Sequence, residues 1–447
     1  MAVRVTTPRP SRMHLALSAG VGGVHQGAWR REGSRTEDWG TIELLVEAAR
    51  RAEQALFDVF FVSDLSAVNR AGLAVQQPYL FFEPITVLAA LAMRTSRIGL
   101  VATASTTFSE PYPLARQIAS LDQISGGRAG WNAVTSSVGS QNFAHREWPD
   151  HDARYVRAEE FVDVVTGLWD GWEPDALIRD RAAGRFADPD RVHPLDHRGP
   201  HFQVAGPLNV PRSPQGRPVI VQAGSSQPGR DLAARYASMV FTAQQDAEQS
   251  QAFIRDIRQR ARGFGRDDGE VVVLPGLSPV IGDTEQDAHR IQDELLALVD
   301  EPTAIARLAD QLGGADLSGL GFADVIPPER LPDPSAVQGR RSRYELFHRL
   351  ATEQRWTVRR LAGLEAASYG HWALSGTAEQ IADAMAERFR AGAADGFILM
   401  PPSQDMLERF YERVVPLLQQ RGLFRTEYEG RTLREHLGVP FPERGRA

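Results

Sequence analysis

Cysteine is absent from all 447 residues. That excludes disulfide frameworks, thiolate-ligated zinc, iron–sulfur clusters and cysteine nucleophiles together. Long apolar runs are missing as well, since no stretch reaches the roughly 18 residues that suggest a membrane-spanning helix. Nor is there an excess of positive charge. Lys and Arg number 50 against 57 Asp and Glu, a net charge of −7, whereas a nucleic-acid surface needs the opposite sign. HExxH, Walker A and GxSxG motifs are all lacking. At the N-terminus, Arg4, Arg9 and Arg12 precede a short apolar run at 15–20, a loose imitation of a secretion signal. The run is too short and glycine-rich, and His14 opens it. It reads as a first strand, and the protein as cytoplasmic with no membrane or nucleic-acid partner.

Apolar residues make up 42% and charged residues 24%, a globular balance with enough chain for a large core. Short β-like runs fall at 13–19, 59–63, 97–104, 128–134, 218–224, 239–242, 271–280 and 395–400. Most are continuously apolar, which suits parallel strands buried on both faces. Helical patterns lie between them. Ile42, Leu45, Val46 and Ala49 share one helix face. Phe161, Val165 and Leu168 mark a helix starting after Asp152, and Thr377-Ala-Glu-Gln380 is a capping box for another. Eight strands alternating with helices fit a (β/α)8 barrel or a doubly wound sheet. A simple barrel takes about 250 residues. The surplus sits near 171–217, which has no clear period, near 301–369, a polar helical stretch broken by Pro327, Pro328 and Pro332, and in a charged, irregular tail from about residue 421. No linker divides the chain, which reads as one domain over 1–447.

Two motifs fail on inspection. Gly20-Val-Gly22-Gly23-Val-His25 begins like a dinucleotide fingerprint, but His25 replaces the third glycine and no helix follows. His193, His197 and His201 are spaced four apart, yet Pro194, Gly199 and Pro200 prevent a helix that would align them, so no metal site is expected.

Three segments carry chemistry. Residues 121–136, Leu-Asp-Gln-Ile-Ser-Gly-Gly-Arg-Ala-Gly-Trp-Asn-Ala-Val-Thr-Ser, read as a helix end, a tight turn and a strand ending in Trp131, Asn132 and Thr135. Polar groups at the C-terminal end of a barrel strand lie at the active-site face; a tight turn with a buried Trp fits the same residues. Residues 222–230, Gln-Ala-Gly-Ser-Ser-Gln-Pro-Gly-Arg, lead from strand to helix and would offer Ser225, Ser226 and backbone N–H groups to an anion. An ordinary βα loop capped by Ser has the same pattern. His151 and Tyr155 stand at i and i+4 at a helix start, where both could donate to a phosphate.

Together these segments resemble the bacterial-luciferase-like flavin monooxygenases, in particular the nitrilotriacetate, EDTA, dibenzothiophene-sulfone and pristinamycin group. The resemblance covers nearly the whole chain: residues 56–64, 103–116, 121–136, 192–204, 222–230, 392–397 and 425–434 all fit, with 121–136 the most specific. It implies a (β/α)8 TIM barrel with insertions that binds reduced FMN supplied by a separate NAD(P)H:flavin reductase. By position, Asp64, Thr103, Asn132, His151, Tyr155, Ser225 and Ser226 would line the cofactor site. Asp64 and Thr103 would meet the ring, and His151, Tyr155, Ser225 and Ser226 the phosphate. Val24-His25-Gln-Gly-Ala-Trp-Arg30 is similar to a family segment after the first strand, which makes His25 the candidate catalytic residue, bonding to a flavin C4a-(hydro)peroxide or moving a proton as it breaks down.

The reading is therefore a two-component monooxygenase, a homodimer or homotetramer, that uses reduced FMN and O2 to oxygenate a small organic substrate. A deazaflavin-dependent oxidoreductase on the same barrel and a non-catalytic flavin-binding protein are the alternatives. Residues 301–369 are the expected lid.

Overall fold

The computed structural model describes residues 10–443 apart from 21, 69, 71, 76–81, 137, 144–149 and 334–340. Arg4 and Arg9 of the N-terminal basic run lie outside the described residues. Eight parallel strands close into a ring: β1 (His14–Ser18), β2 (Val59–Val62), β3 (Gly99–Ser105), β4 (Ala129–Val134), β5 (Val219–Gln222), β6 (Met239–Thr242), β7 (Val272–Ile281) and β8 (Gly396–Leu399). Each pairs with its neighbours in chain order, and His14 opposite Gly396 joins β1 to β8. The barrel, not the doubly wound sheet, is the fold.

Continuous apolarity has the expected cause, because each strand buries both faces. One set of alternate residues, Ala16, Val59, Phe61, Val101, Val221, Met239, Leu274 and Ile398, fills the barrel interior. The other set, including Leu15, Phe60, Leu100 and Trp131, packs outward. Around the ring lie α1 (Ile42–Gln54), α2 (Pro84–Ala92), α3 (Pro111–Ser125), α4 (His151–Trp169), α5 (Gln227–Tyr236), α6 (Ala247–Gly263) and α7 (Glu285–Ala297). Helix α4 starts at His151, two residues earlier than its apolar spacing suggests, because the Asp150 side chain caps it by accepting from the Ala153 N–H at 2.7 Å.

Residues 171–217 hold two small hairpins, Leu177–Asp180 with Arg185–Ala187 and His197–Arg198 with Gln203–Val204. Such strands are too short to show a period. Residues 301–369 contain α8 (Glu301–Gln311), α9 (Arg341–Thr352) and α10 (Val358–Ser368), which share an apolar cluster around Leu308, Phe347 and Leu361. A further strand, Trp372–Gly376, pairs with Leu277–Ile281, so the second half of β7 leaves the ring. Then α11 (Ala378–Arg390) opens with its capping box: Gln380 accepts from the Thr377 N–H at 2.8 Å, and Thr377 from the Gln380 N–H at 3.4 Å.

The tail is less irregular than its composition suggests. A turn of helix, α12 (Leu433–His436), seats Leu433, with Leu437 and Val439, in the barrel interior at the N-terminal ends of the strands. That end is closed, and the open mouth lies at the C-terminal ends.

Candidate active site at the barrel mouth

At the mouth, Thr103 and Asn132 stand side by side on β3 and β4. The Asn132 amide donates to the Thr103 hydroxyl at 3.0 Å. Its other atom, Oδ1, is buried with no hydrogen-bond partner. A buried acceptor left unmatched is costly, so this oxygen suits a ligand N–H entering the mouth. Asp64 follows β2 and is solvent-exposed, its carboxylate accepting from the Leu65 N–H at 2.9 Å.

The phosphate candidates converge one strand further round. The rings of His151 and Tyr155, on the first turns of α4, lie 5.0 Å apart. Ser226 caps α5, its hydroxyl accepting from the Gly229 N–H at 3.3 Å, and the Ser225 carbonyl accepts from Arg230 Nε at 2.9 Å. A Cβ added at Gly224 or at Gly229 would fall 2.9 Å from the Tyr155 hydroxyl. The two glycines thus bring that hydroxyl down onto the N-terminus of α5, where helix dipole and amide groups favour an anion. Residues 70 positions apart in sequence form one cradle with the character of an anion site, one strand along from the unmatched Asn132 oxygen.

His25 stands on the β1–β8 side. Val24 and His25 donate their N–H groups to the carbonyls of Pro401 and Pro402 at 2.8 and 3.1 Å, fixing the loop to the end of β8. The imidazole is buried, and its Nδ1 accepts from the Gly27 N–H at 3.1 Å. Burial, reinforced by the charge of Arg31, pushes its pKa down to about 3. The ring is therefore neutral near pH 7 with its proton on Nε2, a hydrogen-bond donor and not an imidazolium. Beside it, Gln26 bonds Glu365 of α10, which also receives Arg307 of α8 at 3.0 Å. The helical insertion is thereby tied to the His25 loop.

The segment 121–136 divides into two jobs. Asn132 alone of its polar strand residues is placed at the mouth with Thr103. Trp131 faces outward, donating to the Ala104 carbonyl at 3.1 Å and packing against Phe161 and Trp169. Asp122 and Arg128 serve the closed end. Asp122 accepts from the Ala129 N–H at 2.9 Å and from Gln215 at 2.7 Å, while burial pushes its pKa up to about 6. Arg128 donates to the carbonyls of Ile98 and Ala92 at 2.8 and 3.0 Å.

Among the described residues no cluster of three His, Asp or Glu is arranged to hold a metal ion. His193 Nε2 meets Glu173 at 2.8 Å and His197 Nε2 meets Glu160 at 2.9 Å, so the two rings serve different carboxylates. A cavity of about 800 Å³ opens at the closed end, beside the starts of β1 and β7. Arg12 and Arg258 in its wall are paired with Glu429 and Asp395 at 2.7 and 2.8 Å, and none of the candidate site residues lines it.

Three further residues of the mouth carry no sequence motif. Phe241 at the end of β6, His371 before the Trp372 strand, and Arg343 on α9 form a stack in which the Phe241 and His371 rings lie 4.8 Å apart and nearly parallel. Arg343 Nη2 reaches His371 Nε2 at 2.6 Å. Only the fold assembles them.

A family model described as luciferase-like monooxygenase matches residues 20–395. The chain is 43% identical over 441 residues to N-acetyl-S-(2-succino)cysteine monooxygenase of Bacillus subtilis (strain 168), covering 98% of each chain. It is 42% identical over 445 residues to nitrilotriacetate monooxygenase component A of Aminobacter aminovorans, covering 97% of each. A crystal structure of riboflavin lyase with modified FMN and riboflavin superposes with a TM-score of 0.83 at 32% identity, over 96% of both chains. With a match this long and relatives similar from end to end, the chain belongs to the luciferase-like monooxygenases.

Proposed function

We propose that this chain is the oxygenating component of a two-component monooxygenase that takes reduced FMN from a separate NAD(P)H:flavin reductase. The observation that carries this reading is the pairing of two features at one mouth: the Tyr155 cradle at the start of α5 and the unmatched Asn132 oxygen. Their spacing along neighbouring strands suits a ligand with a phosphate at one end and a flat polar ring at the other. The riboflavin lyase relative, which was crystallised with modified FMN, and the relative named as a component A support the same reading.

Bound reduced FMN would supply the activation of O2, one atom going to the substrate and the other leaving as water. The chain's own residues do the rest. Ser225, Ser226, Tyr155 and His151 hold the phosphate. Thr103 fixes the Asn132 amide so that its oxygen receives a ring N–H, and Asp64 bounds the ring side at β2. His25 offers a fixed Nε2–H to a developing oxyanion without carrying charge itself. The insertion, tied to the His25 loop through Glu365, covers that side and keeps water out.

The test combines the purified chain, a generic flavin reductase, NADH, FMN and isotopically labelled O2 with a panel of small organic substrates. One labelled oxygen atom in a product, dependent on FMN, is expected. Product formation that persists without flavin, or label that enters only from water, overturns the reading.

A further inference from the structure

Beside the anion cradle stands Gln222, the last residue of β5, only 3% exposed. Along that strand Val219 and Val221 fill the barrel interior, while Ile220 packs outward among the helices. Alternation puts Gln222 on the same outward side as Ile220. On that side Tyr155 of α4 meets Gly229 of α5. An apolar residue would serve packing there, as Ile220 does, so the amide needs a reason beyond packing.

Its acceptor half has one. Oε1 accepts from the Gly224 N–H at 2.5 Å, which fixes the amide and decides where Nε2 lies. Nε2 can only donate, and it has no hydrogen-bond partner among the described residues. A donor left unmatched at such burial is costly.

Nε2 and the Tyr155 hydroxyl close on one spot. A Cβ built on Gly224 would fall 2.6 Å from the first and 2.9 Å from the second. Two groups that each lie within hydrogen-bond length of one point are near enough to share an acceptor oxygen. The hydroxyl, too, bonds none of the described residues. The same Cβ would lie 3.0 Å from the Gly229 Cα, so the N-terminus of α5 acts at this spot as well. Gly224 itself is only half-buried, which leaves the loop open on one side.

Two uncharged donors at the start of a helix, with no acceptor between them, suit an anionic oxygen. We propose that Gln222 is a further binding residue for the phosphate of reduced FMN, its Nε2 donating to the group that Tyr155 holds. This rests on the reading of the cradle as the flavin phosphate site and adds to it a contact made from the strand.

Anaerobic titration of the full-length chain with reduced FMN and with reduced riboflavin tests it, because only the first carries the phosphate. Gln222→Glu keeps an acceptor for the Gly224 N–H and puts a carboxylate oxygen where the donor was. It should weaken reduced FMN on the order of 100-fold and leave reduced riboflavin as it was. Gln222→Met removes the donor without burying a charge and covers the case in which Gln222→Glu does not fold. It should weaken reduced FMN on the order of 10-fold, again without moving reduced riboflavin. If both flavins weaken alike, Gln222 only shapes the loop and the proposal is overturned. It is overturned equally if reduced FMN binds the variants as it binds the wild-type chain. If the wild-type chain itself binds the two flavins alike, the phosphate reading of the cradle falls, and the role of Gln222 with it.

Discussion

Acid should unfold this protein partly through one histidine. His25 is buried, and its Nδ1 is occupied by the Gly27 N–H, so a second ring proton would set one N–H against another. The unfolded imidazole takes up a proton as pH falls through 6.5, while the folded one stays neutral until about pH 3. Between these values the unfolded chain binds more protons, and stability is lost as pH falls. The full displacement corresponds to about 5 kcal/mol. Between pH 7 and pH 5 about 2 kcal/mol of it is felt. His25→Gln keeps an acceptor for Gly27 and removes the titration. Urea denaturation followed by tryptophan fluorescence at the two pH values measures the difference. The wild-type chain should lose about 2 kcal/mol more than the variant on going to pH 5. Equal losses would show that His25 is already charged in the folded state or reached by water, and the neutral-donor role would go with them.

His25→Ala should retain reduced FMN but lose product formation on the order of 100- to 10,000-fold, releasing hydrogen peroxide instead; normal coupling in peroxide and product assays would make it a bystander. Replacing Ser225 and Ser226 together by bulky residues should erase the preference for reduced FMN over reduced riboflavin in anaerobic titration while the fold is kept, and an unchanged preference would place the phosphate elsewhere. Leu433→Ala should cost about 2–5 kcal/mol by opening a cavity in the barrel interior, read from a urea midpoint; a negligible shift would mean that the closed end collapses around the gap. Chelator treatment should leave reduced FMN binding and turnover unchanged, and one tightly held metal ion per chain by elemental analysis would contradict the separate pairing of His193 and His197.

What was legible in the sequence was local. The eight barrel strands show as apolar runs because burial on both faces leaves no polar alternation to confuse them. The α11 capping box and the His151–Tyr155 pair are relations over three or four residues, which a helix brings together by itself. The second half of β7 reads as ordinary strand, yet it turns out of the ring after Leu277, pairing with Trp372–Gly376 instead of β8. Nothing local marks that departure. Arg343 and His371 are 28 residues apart, and Phe241 is 130 from His371, so only the closed barrel makes a stack of them. The tail misleads for another reason. Its charges look like a solvated surface, but Arg425 pairs with the buried Asp58 and Arg434 donates to the Gln215 carbonyl at 3.1 Å.

The closed end also sets when this protein can fold. Leu433, Leu437 and Val439 fill the interior at the starts of the strands, and β1 finds its second neighbour only when Gly396–Leu399 exists. Synthesis runs from the N-terminus at about 5–20 residues per second. Through most of translation the emerging chain therefore carries an open sheet whose first strand has a bare edge and whose interior has no floor. Exposed strand edges invite pairing with other chains, and contacts between such distant residues form slowly. Ring closure is thus a late event of biosynthesis, and a ribosome that stalls before codon 433 leaves behind a product with an open, aggregation-prone core.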